Sequence, residues 1–149
     1  MLRKSLLALS LLCTASGALE ARPFTSRDLV TLERVSEPRL SPDGKRLVYV
    51  QRSVDYAANK AAYALFETTA QGGEPRRLTA TGSNATSPHW SRDSKSLYFL
   101  SNRGGSSQIW RLDGTGEARP VTQLPVDVES FTLSADAIMS CPTEGMTGV

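Results

Sequence analysis

The sequence is poor in the residues that staple small folds or carry out covalent chemistry. It has two cysteines, Cys13 and Cys141, and a single histidine, His89, in 149 residues. Cys13 falls in an apolar leader, so the remaining thiol builds neither a disulfide framework nor a metal site. No Gly-x-Ser-x-Gly occurs anywhere, which removes the strained elbow that presents a nucleophilic serine in α/β-hydrolases. Nor does any apolar run approach the ~20 residues needed to span a bilayer. Aromatic residues make up 7% of the chain. They are not scattered: Tyr49, Trp90, Tyr98, Phe99 and Trp110 all sit in strand-like runs, which marks them as core.

The amino terminus reads as a targeting segment. Arg3 and Lys4 form a basic start, Leu6 to Leu12 an apolar stretch, and Ser16-Gly-Ala18 places small residues where a signal peptidase cuts, predicting cleavage after Ala18. Leu11 and Leu12 precede Cys13 where lipoprotein processing prefers a small residue, so the leader is expected to be cleaved rather than lipidated. The mature chain then keeps 15 of the 17 basic residues against 15 acidic ones. That balance carries no nucleic-acid footprint. The expected location is periplasmic or secreted, with no membrane span.

Residues 19–37 are expected to form an opening segment with a short helix. Thr25 is a good N-cap with Asp28 at the third helical position, and Phe24 and Leu29 occupy the two positions of a hydrophobic staple. The pattern predicts a helix through about Arg34, ended by Glu37-Pro38.

From Pro38 the period changes to alternation, and a pattern appears twice. Pro38-Arg-Leu-Ser-Pro-Asp-Gly-Lys-Arg-Leu-Val-Tyr-Val50 is matched fifty residues on by Pro88-His-Trp-Ser-Arg-Asp-Ser-Lys-Ser-Leu-Tyr-Phe-Leu100. The first unit predicts strands at Pro38–Leu40, Arg46–Arg52, Tyr63–Thr68 and Arg76–Thr79. The second predicts Pro88–Trp90, Ser96–Ser101, Gln108–Leu112 and Ala118–Thr122. Self-similarity at ~40–50 residues, with four short antiparallel strands per unit, is the pattern of a β-propeller blade; a β-sandwich is the competing architecture. The fold class expected is therefore all-β, a partial propeller of about two blades and the start of a third over residues 38–136.

The third unit starts and breaks. Ser130-Phe-Thr-Leu-Ser-Ala-Asp136 aligns with Ser87–Asp93, but Ala137-Ile-Met-Ser-Cys-Pro142 departs from the pattern, and 143–149 carries no period. Residues 137–149 are expected to be an irregular tail, consistent with truncation or a frameshift. A propeller needs ~4–8 blades to close, so the chain is expected to be a piece of a longer protein.

Several segments together resemble the amino-terminal region of exported bacterial serine peptidases of the prolyl oligopeptidase family, in its acylaminoacyl-peptidase and dipeptidyl-peptidase branch. They are Phe24–Val30, Val35–Lys45, Gly72–Thr79, Ser87–Asp93, Leu97–Arg103 and Gln108–Trp110. The blade motif alone is shared with TolB-like propellers; its combination with the Phe24–Arg34 opening points to the peptidases. The resemblance implies a propeller that filters peptide substrates, partnered by a carboxy-terminal α/β-hydrolase domain carrying a Ser-His-Asp triad. None of those catalytic positions falls within this sequence, so no catalytic, cofactor-binding or metal residue and no cofactor is assigned. His89 is expected to be a plain strand residue at the repeat position of Arg39.

Asp43, Asp93 and Asp136 recur at equivalent turns, where a carboxylate that bonds nearby backbone is favoured over a repeated cation ligand. Asn84-Ala-Thr86 has the form of a glycosylation acceptor. Gly72-Gly73 and Gly104-Gly105 read as turns between strands rather than phosphate cradles, and Arg76-Arg77 beside Glu74 as a solvated strand end. Three readings stay open at this level: an inactive propeller part of an exported peptidase, a TolB-like periplasmic binding or scaffold module, and a gene remnant without function.

Overall fold

The structure is a computed structural model that describes residues 22–134 and 138–142. The leader, the expected cleavage at Ala18, Asp136 and the 143–149 segment lie outside the described residues. The described residues are nearly all-β: among them helix α1 (Ser26–Thr31) precedes ten strands in three antiparallel sheets. No described helix is long and apolar enough to cross a membrane.

The first sheet has the order β1-β2-β3-β4, from β1 (Arg34–Leu40), β2 (Arg46–Asp55), β3 (Lys60–Thr69) and β4 (Arg76–Arg77). The second repeats it with β5 (Ala85–Trp90), β6 (Ser96–Ser101), β7 (Gln108–Asp113) and β8 (Arg119–Pro120). A third, two-stranded sheet pairs β9 (Val128–Leu133) with β10 (Ile138–Pro142). Each sheet is a meander of consecutive strands, the blade arrangement rather than a Greek-key sandwich. The sheets do not close into a ring among the described residues.

The fifty-residue repeat is visible down to the backbone. The β1–β2 register breaks between Ser36 and Arg39, and the β5–β6 register between Thr86 and His89. At these bulges Glu37 and Ser87 take φ of 51° and 53°. Each precedes a proline, which has no N–H to give to a ladder and is tolerated at edge strands and bulges.

The blades stack through alternating faces. Val48, Val50 and Leu65 of the first blade pack with Ala85, Leu97, Phe99 and Leu112 of the second, all buried. Leu100, the counterpart of Val50 fifty residues on, lies on the opposite face of its blade from Phe99 and packs with Ile109 on Val128 and Phe131 of the third sheet. Tyr49 and Phe66, stacked at 5.9 Å, lie on the first blade's opposite, half-buried face.

Several sequence-based boundaries move. The helix stops at Thr31 because Arg34 already opens β1. The Thr25 capping box forms as expected, but Phe24 and Leu29 are both exposed. The outer strands are two residues long instead of four or five, and for one reason in both blades. Leu78 N–H bonds the Leu65 carbonyl, but the Leu65 N–H goes to Thr79 Oγ1 at 3.1 Å. In the second blade the Ile109 N–H goes to Thr122 Oγ1 at 2.9 Å while its carbonyl takes the Val121 N–H. A threonine hydroxyl thus replaces the ladder. The expected irregular tail is corrected at its start: Ile138–Pro142 pairs with β9, because a partner strand supplies the order that the repeat signature lacks there.

Candidate functional site

The twice-written signature builds the same clamp twice. Ser41 Oγ donates to Asp43 Oδ1 at 2.6 Å, Lys45 N–H donates to the same carboxylate oxygen at 3.1 Å, and Arg46 N–H donates to Ser41 Oγ at 2.9 Å. The second copy has Ser91 Oγ to Asp93 Oδ1 at 2.6 Å, Lys95 N–H to Asp93 at 3.0 Å and Ser96 N–H to Ser91 Oγ at 2.9 Å. The hydroxyl first, then the amide, hold both carboxyls below their ordinary range. Asp43 and Asp93 therefore organise turns, the role the sequence favoured over cation binding.

The two turns face each other across an open groove of about 700 Å³ lined by Asp43, Arg46, Asp93, Lys95, Arg111 and Asp113. Ser94 joins them. It stands where the first blade has Gly44 and takes the same left-handed conformation, φ 60° against 71°. A side chain there costs about 1 kcal/mol, and the return is visible: Ser94 Oγ accepts the Asp43 N–H at 3.0 Å, and its carbonyl accepts the Arg46 guanidinium. Arg46 also lies 4.4 Å from the centre of the Trp90 ring and 3.8 Å from Glu67, while Trp90 Nε1 donates to the Arg39 carbonyl at 3.1 Å.

On the far wall Asp113 accepts Ser96 Oγ at 2.6 Å and Arg111 Nε at 2.8 Å. These bonds, the serine's first, hold its carboxyl low, and the Asp113 carboxylate holds Arg111 above its ordinary value. The groove presents paired charges and sets the register of blade on blade. Its serine hydroxyls are engaged in structural contacts, Ser96 Oγ with the Asp113 carboxylate and Ser94 Oγ with the Asp43 N–H, and no histidine lines it among the described residues.

His89 lies in β5, as expected, half-buried. Its Nδ1 is 3.0 Å from the Ser87 carbonyl oxygen, and its ring packs 4.8 Å from that of Phe131. Neither contact is with a nucleophile or an acid. On the neighbouring first strands, Glu37 Oε2 accepts the Ser87 N–H at 2.7 Å, tying β1 to β5 through the two bulges.

The remaining sequence candidates resolve as structural parts. Asn84 is half-buried with φ 42°, and its Oδ1 accepts the Tyr63 N–H at 3.4 Å. Both glycine pairs sit in turns between strands, with Gly72 N–H on the Thr69 carbonyl and Gly105 N–H on the Asn102 carbonyl. Arg76 faces Glu67 at 3.7 Å, across the ladder from it, rather than Glu74. Arg77 Nε donates to the Thr79 carbonyl at 2.8 Å. Cys141 is exposed on β10. Sequence reasoning missed Arg46 and Ser94; the signal available was that these are positions where the two copies differ.

Comparison with known proteins places this geometry. The family model described as TolB beta propeller domain matches residues 27–138. Dipeptidyl-peptidase 5 of Porphyromonas gingivalis is 37% identical over 109 residues, which are 73% of this chain and 16% of that protein. Among solved structures, the acylaminoacyl peptidase of Pyrococcus horikoshii superposes with a TM-score of 0.60 at 21% identity, over 72% of this chain and 16% of its own. A putative TolB from Agrobacterium tumefaciens gives 0.60 at 20%, over 74% of this chain and 40% of its own. At these identities the two structures speak to the fold. The chain spans about a sixth of the length of the dipeptidyl-peptidase it matches.

Proposed function

Since the chain belongs to the TolB beta propeller domain family, we propose that it is the non-catalytic propeller part of an exported serine exopeptidase acting on peptides. The observation that carries the reading is the 37% identity to a dipeptidyl-peptidase across nearly three quarters of this chain. The chemistry belongs to an α/β-hydrolase domain outside these 149 residues. That division agrees with the absence of a Gly-x-Ser-x-Gly elbow and with a lone histidine bonded to backbone. Stacked blades restrict what reaches the active centre of such an enzyme, which makes this part a filter for short peptides. The basic, apolar and small-residue order of Arg3 to Ala18 supports export to the periplasm or beyond.

The coding sequence that follows tests this. A reading frame is expected to continue the blades and then encode a Gly-x-Ser-x-Gly elbow, and the purified 149-residue chain is expected to release no product from aminoacyl or dipeptidyl amides. Unrelated downstream sequence, or turnover by the homogeneous chain, would overturn the proposal. A second reading, a periplasmic binding or scaffold module, is favoured by the TolB description of the matching family. A defined ring-sized oligomer in size-exclusion chromatography would favour it over the first.

A further inference from the structure

Between the outer strands of the two complete blades lies a second cavity, of about 350 Å³, walled by Leu78, Thr79 and Ala80 on one side and Arg103, Glu117 and Ala118 on the other. Arg103 is held there with care. Its Nε and its backbone N–H both donate to Ser101 Oγ at 3.3 Å. Its guanidinium carbon lies 4.6 Å from the centre of the Trp110 ring and 5.8 Å from that of Phe99. The two terminal nitrogens have no hydrogen-bond or ion-pair partner among the described residues. Arg103 is exposed as a whole residue, and desolvation of its guanidinium against the aromatic rings pulls it below its ordinary value.

A cation fixed in plane by aromatic rings, with its two outer nitrogens unused, matches the two oxygens of a carboxylate. The alkyl walls of Leu78, Ala80 and Ala118 suit the chain that carries such a group. We propose that this cleft binds a peptide carboxylate, from a C-terminus or an acidic side chain, with Arg103 as its bidentate partner and Glu117 as a like charge that weakens the binding. The choice of a peptide as carrier rests on the peptidase reading; the preference for a carboxylate does not. Failure of binding would leave the downstream coding sequence unaffected, so the two proposals fail separately.

The test titrates the full ¹⁵N-labelled chain with three probes: N-acetyl-Ala-Ala, its C-terminal amide, and N-acetyl-aspartic acid α-amide, whose only carboxylate is that of the side chain. The reporter is the Trp110 indole N–H, which donates to the Ser101 carbonyl at 3.1 Å and is assigned with a Trp90→Phe variant. A saturable shift with a carboxylate probe and none with the dipeptide amide is the expected result, and the probe that gives it identifies the source. Arg103→Lys is expected to weaken binding about fivefold or more through loss of the fork. Glu117→Gln, which leaves the arginine and its aromatic shelf in place, is expected to tighten it about two- to fivefold. No saturable shift from either carboxylate, an equal shift from the amide, or unchanged affinity in both variants would overturn the proposal.

Discussion

Leu65 and Leu40 offer a controlled perturbation, the same side chain in two environments of the first blade. Leu65 is fully buried between the blades, whereas Leu40 is 56% exposed. Truncating Leu65 to alanine removes three carbons, worth ~2.4 kcal/mol at ~0.8 kcal/mol per methylene. The hole left among Val48, Val50, Ala85 and Phe99 cannot collapse without moving two sheets, which brings the expected loss to about 3 kcal/mol, inside the ~2–5 kcal/mol span for such truncations. Leu40→Ala is expected to stay within about 0.5 kcal/mol. Urea unfolding followed by tryptophan fluorescence is the assay, because both tryptophans, Trp90 and Trp110, belong to the second blade. With a slope of about 1–3 kcal/mol/M, Leu65→Ala should lower the midpoint by about 1–3 M even though the substitution is in the first blade. Equal shifts for the two variants would refute the assignment of the buried face. A tryptophan transition unmoved by Leu65→Ala would refute the coupling of the blades.

Two further outcomes follow from the charged groups. Asp28 is held at about 2 by the Arg22 guanidinium first and by Thr25 next, and Asp43 and Asp93 are also lowered. A depressed folded value means that their stabilisation is complete above the unfolded value of about 4 and is lost as pH falls through the folded one. Acid titration by NMR of the carboxyl carbons should therefore show an Asp28 midpoint near pH 2, with the helix cap lost as pH falls through it, and Ser41→Ala should move the Asp43 midpoint upward, leaving Asp93 in place. Arg46→Lys keeps the charge but loses the planar contact with Trp90 and the bond to the Ser94 carbonyl. A loss of about 1–2 kcal/mol in thermal or urea unfolding is expected, and no loss would remove Arg46 as the stitch between blades.

What the sequence revealed and what it hid divide along one physical line. The clamps at Ser41-x-Asp43 and Ser91-x-Asp93 and the hairpins after them are local, so two copies of the same residues sufficed to place them. Pairing that depends on distant partners left less trace: β10 has no signature because β9 orders it, and the outer strands end early because Thr79 and Thr122 put hydroxyls where a ladder would continue. The residues of most interest are those that repetition does not explain. Arg46 has Ser96 as its counterpart, and Ser94 has Gly44; each difference serves a contact across the blades. Arg103 follows the same rule. Its counterpart fifty residues earlier is Ser53, which sits within the long β2–β3 ladder opposite Ala62. Because β6 stops at Ser101, Arg103 is released from the ladder and folds back over Trp110. A shorter hairpin in the second blade is thus what turns a strand position into the unpaired cation of the inter-blade cleft.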